Sequence, residues 1–155
     1  MHVVIEPIAV ADKDLLWQRM QAYMAELMPF GNFAPVNGVF EYEWFELYWR
    51  EPDRHAFWAK IGNAIAAFAL VHRGQRTEMA EFYTFPEFRR TGVGIDFARQ
   101  LLRRFPGPWE ISQYRAHHGA VAFWHRVIAE YPYVERVYVG GQGKERLEQT
   151  FIVPR

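Results

Sequence analysis

The residues able to do chemistry concentrate between Glu78 and His118. Arg89-Arg90-Thr91-Gly92-Val93-Gly94 joins a segment of strand character to one of helical spacing that begins at Ile95. A helix start leaves backbone N–H groups unpaired and carries partial positive charge, so such a joint can hold an anion. Gly92 and Gly94 lack side chains, which lets a phosphate approach the backbone closely. Arg89 and Arg90 add charge-assisted donors. Upstream, Glu78 and Glu81 place two carboxylates on the strand. Strand side chains alternate, so these two face opposite ways unless a bulge intervenes. Downstream, His117 and His118 follow the next strand, and histidine titrates near neutral pH, as general acid or base work requires. Each feature also has an ordinary use: glycines for turn geometry, solvated or ion-paired carboxylates, a surface histidine pair.

These groups depend on the elements around them. Val3 to Ile8 is short and β-branched, a first strand. Asp12 is a candidate N-cap for a helix in which Leu15, Leu16, Met20, Tyr23, Met24 and Leu27 keep helical spacing up to Pro29. Gly31 to Gly38 is a loop. Phe40 to Glu51 is predicted as a second helix, with Phe40, Trp44, Phe45, Leu47 and Tyr48 as an aromatic stripe, and of the wider run Phe30, Phe33, Phe40, Tyr42, Trp44, Phe45 and Tyr48 most are expected in the core. His55 to Ile61 and Ala64 to His72 form a hairpin about the Gly62-Asn63 turn pair. Glu78 to Phe85 alternates and is rich in aromatics, and Pro86 stops it because proline cannot donate to a ladder. Ile95, Ala98, Leu101, Leu102 and Phe105 make the next helix. Trp109 to Arg115 is a strand, Gly119 to Tyr131 a helix, and Val134 to Val139 with Leu147 to Val153 are closing strands. Antiparallel strands followed by strand–helix alternation predict an α/β (α+β) domain: a mixed, mostly antiparallel central sheet of about seven strands with helices on both faces.

Composition bounds the function. The chain has 155 residues, 50% of them hydrophobic and 23% charged, which fits one domain over 1–155 with a full core. The net charge of +0 argues against a nucleic-acid partner. There is no cysteine, so disulfides and thiolate chemistry are excluded. No segment approaches the ~20 apolar residues of a membrane span, and the first residues show no secretory signal pattern, so a soluble cytoplasmic domain is expected. The six histidines make no compact ligand set with carboxylates, so no metal is expected.

Arg89-x-x-Gly92-x-Gly94 resembles the Q/R-x-x-G-x-G/A signature of the GCN5-related N-acetyltransferases, whose turn holds the pyrophosphate of acetyl-coenzyme A. His117-x-x-Ala120-x-x-Phe123-Trp124 resembles the family's late-helix N-x-x-A-x-x-F-Y pattern, and the order of elements is similar along the whole chain. The resemblance implies acetyl transfer from acetyl-coenzyme A to a primary amine of a small molecule or peptide. Without a cysteine to carry the acetyl group, direct attack in a ternary complex is implied. It also implies cofactor contacts from Tyr83, Thr84 and Phe85 to the pantetheine arm, from Arg89, Arg90, Thr91, Gly92, Val93, Gly94 and Ile95 to the pyrophosphate, and from Phe123 and Trp124 on the late helix. Glu78 matches by spacing the glutamate base of histone-type members, with Glu81 the alternative. His117 stands where asparagine is usual, as a base or as a donor to the pantetheine. Asp96 must point away from the pyrophosphate. Two positions depart from the pattern: His117, and Trp124 in place of the tyrosine that reprotonates the leaving thiolate. An indole N–H cannot serve as an acid at neutral pH, and Tyr114 is the substitute. A coenzyme A-binding module without catalysis, or an unrelated α/β nucleotide-binding domain, is the alternative. The terminal strands could support a homodimer.

Overall fold

The computed structural model describes residues 2–155. A seven-stranded sheet runs in the order β1-β2-β3-β4-β5-β7-β6. Its strands are β1 (Val4–Pro7), β2 (Arg54–Ile61), β3 (Ala64–Arg73), β4 (Thr77–Thr84), β5 (Gly107–Tyr114), β6 (Tyr133–Val139) and β7 (Glu145–Val153). Three helices accompany them: α1 (Lys13–Leu27), α2 (Val93–Arg104) and α3 (His118–Val127). Every neighbouring pair is antiparallel except β4 with β5. A parallel neighbour needs a crossover, and α2 supplies it.

The helices cover both faces. Leu16, Met20 and Met24 of α1 pack with Trp58, Phe68, Leu70 and Tyr83 in one core. Phe97, Leu101 and Leu102 of α2 join Trp124 and Val127 of α3 over Phe57, Ala69 and Trp109 in the other. β3 serves both cores, so its Ala66–Val71 run is buried without interruption, the pattern of a strand covered on both sides. On α2 the buried side chains Val93, Phe97, Ala98, Leu101 and Leu102 recur at threes and fours. Arg103 and Arg104 end the helix, where positive charge suits the dipole.

The predicted helix over Phe40–Glu51 does not form. Only a short 3-10 turn, Phe45–Trp49, is helical there. The aromatic side chains explain this, because they are anchored at separate places. Phe45 and Tyr48 enter the α1-side core, Phe40 is clamped by its backbone to Gln21 of α1 (both bonds 2.8 Å), and Tyr42 reaches β4. A helix would gather these residues on one stripe. Asp12 stands at the N-cap of α1, but its side chain makes no capping bond.

Leu101 is fully buried at the centre of the α2 face. Leu101→Ala is expected to lower unfolding free energy by about 2–5 kcal/mol, measured by urea denaturation, with the midpoint moving and the slope unchanged.

Candidate active site

The site originates in how β4 and β5 meet. Their ladder holds at Thr77↔Trp109 and Glu78↔Glu110 and goes no further. β5 stays with β7 as far as Tyr114, and β4 stays with β3 as far as Thr84. The two strands therefore part, and a cleft of about 1450 Å³ opens between them. The β5-facing edge of β4 beyond Glu78 has no strand partner, which leaves backbone donors and acceptors along one wall.

A bulge sits at the parting point. Leu70 lies opposite Glu81 and Val71 opposite Met79, so Ala80 has no partner on β3. The extra residue resets the alternation. Met79 and Phe82 pack toward α2 and α3, while Ala80 and Tyr83 pack toward α1. Glu78 and Glu81 thereby share the α1-side face, and both line the cleft.

Glu81 is enclosed by tyrosines. Tyr23 of α1 donates to one of its carboxylate oxygens at 2.7 Å and Tyr42 to the other at 2.9 Å. Burial raises its pKa from 4.5 to about 7, against the opposing pull of the two tyrosine bonds and Arg146. Glu78 stands in register beside Glu110. Burial raises the pKa of Glu110, and the neighbouring Glu78 carboxylate adds to it.

The anion turn follows β4. Arg90 (φ 61°) and Gly92 (φ 86°) both adopt left-handed backbone, which folds the chain sharply into α2. The Thr91 hydroxyl donates to Phe88 O at 2.6 Å and braces the turn. The first bond of the α2 ladder is Asp96 N to Gly92 O, at 3.1 Å, so the N–H groups of Gly94 and Ile95 precede it and are free of the helix's own pairing. Gly94 packs tightly: a Cβ there would stand 2.6 Å from Thr84 Oγ1 and 3.3 Å from Phe123 Cε1. Asp96 is turned to Gln100 (3.3 Å), which bridges to Val3 O, and stands outside the cleft.

Arg89 has a second task. Its guanidinium donates to Glu26 Oε1 at 2.7 Å and to Thr84 O at 3.2 Å. The Tyr83 hydroxyl donates to the other Glu26 oxygen. α1, the end of β4 and the anion turn are thus tied through one carboxylate.

His117 caps α3, its Nδ1 accepting the Ala120 N–H at 3.2 Å. The neutral ring then carries its proton on Nε2, where it can only donate. Burial lowers the His117 pKa, and the ring stacks on Phe30 with centroids 4.2 Å apart. Trp124 is buried and meets Phe82 and Phe123 edge-on, each at 5.0 Å. It forms the cleft floor.

Most of the expected site residues therefore meet in one cleft: Glu78, Glu81 and His117, with Tyr83, Thr84, Arg89, Arg90, Gly92, Gly94, Ile95, Phe123 and Trp124. Phe85, Thr91 and Val93 do not line it. Phe85 is turned into the α1-side core, its N–H bonded to Ala66 O and its C=O to the Phe88 N–H, both at 2.9 Å. A strand-like pairing by Phe85 has no free backbone group to use. Val93 is buried against the α2-side core. Sequence reasoning missed Tyr23 and Tyr42, which helical and aromatic spacing assigned to core. It also missed Glu26, Gln142 and Arg146. Among the described residues, no group of three or more His, Cys, Asp or Glu side chains could hold a metal ion.

The cleft thus combines a parted parallel pair, a glycine turn at the start of the following helix and a half-buried carboxylate at the bulge. The chain belongs to the acetyltransferase (GNAT) family, whose model matches residues 17–129. A search of curated protein sequences finds no match. Among solved structures, the fold is similar to an acetyltransferase from Thermus thermophilus (15% identity, TM-score 0.70, 96% of each chain). It is also similar to the ribosomal-protein-S18-alanine N-acetyltransferase of Escherichia coli (12% identity, TM-score 0.64, 99% of this chain and 96% of that one). A third is the spermidine N-acetyltransferase of Vibrio cholerae in complex with CoA and spermine (11% identity, TM-score 0.65, 97% and 95%). Among the described residues, no helix is long and apolar enough to cross a membrane.

Glu81 also makes a stability prediction. Its folded pKa lies above the ordinary value, so between those two pH values the folded chain binds more protons than the unfolded one. The stability this group contributes is present in acid and is lost as pH rises through about 7. Glu81→Gln, which keeps an acceptor for Tyr23 or Tyr42, is expected to gain stability relative to the parent on going from about pH 5 to about pH 8, followed by thermal denaturation at each pH.

Proposed function

We propose that this protein transfers an acetyl group from acetyl-coenzyme A to a primary amine, by direct attack of the amine while both substrates are bound. The observation that supports this best is Glu81, a carboxylate with a pKa near 7 on the acceptor-side wall of a cleft whose other end is an anion turn.

The residues present fit coenzyme A. The β5-facing edge of β4 around Thr84 suits the amide groups of a pantetheine arm, as an added strand would, through the Thr84 N–H, since Thr84 O accepts from Arg89 and Tyr83 is paired with Phe68. The N–H groups of Gly94 and Ile95 and the side chain of Arg90 suit the pyrophosphate. His117 Nε2–H is a donor for the arm. Arg89 works by holding the turn, since its own charge is met by Glu26. Acetyl-coenzyme A, when bound, supplies a thioester carbonyl for attack.

Glu81 takes the proton from the acceptor ammonium. A base with a pKa near the working pH is deprotonated often enough to accept and basic enough to drive the transfer. Tyr23 and Tyr42 fix both carboxylate oxygens and keep it aimed. Trp124 carries no usable proton, so the departing thiolate is reprotonated by Tyr114, the phenol on the β5 side of the cleft, whose hydroxyl donates to Gln142 Oε1 at 2.9 Å.

Acetyl-coenzyme A is expected to raise the melting temperature by mass action. Gly92→Asp, which puts a strained L-residue and a negative charge into the turn, should weaken that binding about tenfold or more, equal to about 1.4 kcal/mol. Arg89→Ala should weaken it less. No thermal shift at saturating acetyl-coenzyme A would overturn the assignment. With an accepted amine, kcat/KM should rise with pH through about 7 in the parent, and Glu81→Gln should abolish that limb, with thiol release as the readout.

A further inference from the structure

The wall of the cleft formed by β5 and β7 holds a cationic group that lies outside the cofactor grip and also helps to hold the Glu81 pKa down. Arg146 lies on β7 between Tyr114 of β5 and Tyr138 of β6 in register, so all three side chains leave the sheet on the same face. That is the face of Glu81 and Tyr42. Its guanidinium carbon sits 4.4 Å over the Tyr114 ring, and its Nη2 donates to Ser112 Oγ at 3.2 Å. The stem is packed too: a Cβ on Gly140 would stand 3.2 Å from Arg146 Cδ, so the β6–β7 loop lies close against the arginine. The same loop brings Gln142 to the Tyr114 hydroxyl and, through its carbonyl, takes Asn32 Nδ2–H at 3.1 Å.

Arg146 is half-buried and lines the cleft, yet no carboxylate lies within ion-pairing distance of it among the described residues. Arg89, by contrast, is paired with Glu26. A guanidinium has five donors in a rigid fork that matches a carboxylate. Here one donor reaches a serine and the rest of the fork is unclaimed by an acid. Tyr114 and Ser112 orient it and do not neutralise it. Across the cleft the charge is reversed. Glu81 and Glu78 lie on the opposite wall, and the segment that carries Tyr42 brings Glu41 and Glu43 to the same side. One wall thus suits an ammonium and the other an anion.

Building on the transferase assignment above, we propose that the acceptor is a small amine that also carries a carboxylate, a free α-amino acid being the simplest case, with its amine at Glu81 and its carboxylate on Arg146. A bare polyamine would meet Arg146 as a like charge, and an amide-capped acceptor would leave the guanidinium unpaired.

Two measurements on the intact protein test this. The protein amino acids are compared with their carboxamides and with the matched decarboxylated amines, by kcat/KM from thiol release and by calorimetric binding to the coenzyme A-loaded protein. A charge-assisted, bidentate contact should favour the free carboxylate by about tenfold or more in both. Arg146→Gln should erase that preference through KM, and Arg146→Lys should retain part of it. Equal or better use of the carboxamides by the parent would overturn the proposal, as would a carboxylate preference that survives Arg146→Gln. Turnover of amides and bare amines with no carboxylate preference overturns this proposal alone. Turnover of no amine at all overturns the transferase assignment together with it.

Discussion

The parting of β4 from β5 after Glu78 is the constraint on which the rest depends. A parallel pair that stayed zipped would satisfy its own backbone and leave no room between its strands. Here two register pairs hold the strands at one end. The antiparallel partners β3 and β7 pull them apart at the other, because each strand keeps its outer ladder to the end. The cost is an edge of unpaired N–H and C=O groups in the middle of a sheet. Such an edge is a template for an extended ligand. The Ala80 bulge sits where the strands separate, and bulges re-aim side chains. Its effect here is to bring Glu81 onto the same face as Glu78.

The wedge between the strands must stay open when nothing fills it, and the ties around Glu26 and Gly94 do this. Glu26 takes Arg89 and the Tyr83 hydroxyl, which pins the end of β4 and the anion turn to α1. Gly94 lets α2 approach Thr84 and Phe123 within van der Waals range. Each tie crosses between elements far apart in sequence, so the turn is placed by tertiary contacts as much as by its glycines. An arginine that a short motif would assign to phosphate is, in this structure, largely a brace.

The fold was legible in the residues because its elements obey local rules. The hairpin about Gly62-Asn63, the α2 stripe from Phe97 to Leu102 and the stop at Pro86 all follow from period, turn chemistry and proline. The sharp turn at Arg90–Gly92 into α2 was legible for the same reason. Glu81's facing was not, because a bulge is written in the pairing of two strands and leaves no mark in one. Tyr23 and Tyr42 were read as core because periodicity counts a tyrosine as apolar and cannot see where its hydroxyl ends. The segment over Phe40–Glu51 read as helix because aromatic residues at threes and fours match that period, yet Phe40, Tyr42 and Phe45 are held at separate places. Arg146 lay in a closing strand with no motif, and only the register with Tyr114 and Tyr138 gives it a direction.

Trp124 shows how the chemistry is distributed. The indole is buried between Phe82 and Phe123 and closes the floor on the α3 side. Its position contributes packing and water exclusion and supplies no proton. The groups that can exchange protons, Glu81 and Tyr114, stand on the other face of the parted strands, with Arg146 beside Tyr114. Burial pushes the Glu81 proton affinity up, while two tyrosine donors and the arginine hold it down. If burial acted alone, the carboxylate would stay protonated and could not accept. If the donors dominated, it would give up its proton well below neutrality. The balance near neutrality depends on Tyr42, and Tyr42 is placed by a segment whose backbone is clamped to Gln21 two residues earlier. The proton affinity of Glu81 is therefore set by the Phe40–Tyr42 segment as much as by the strand that carries it.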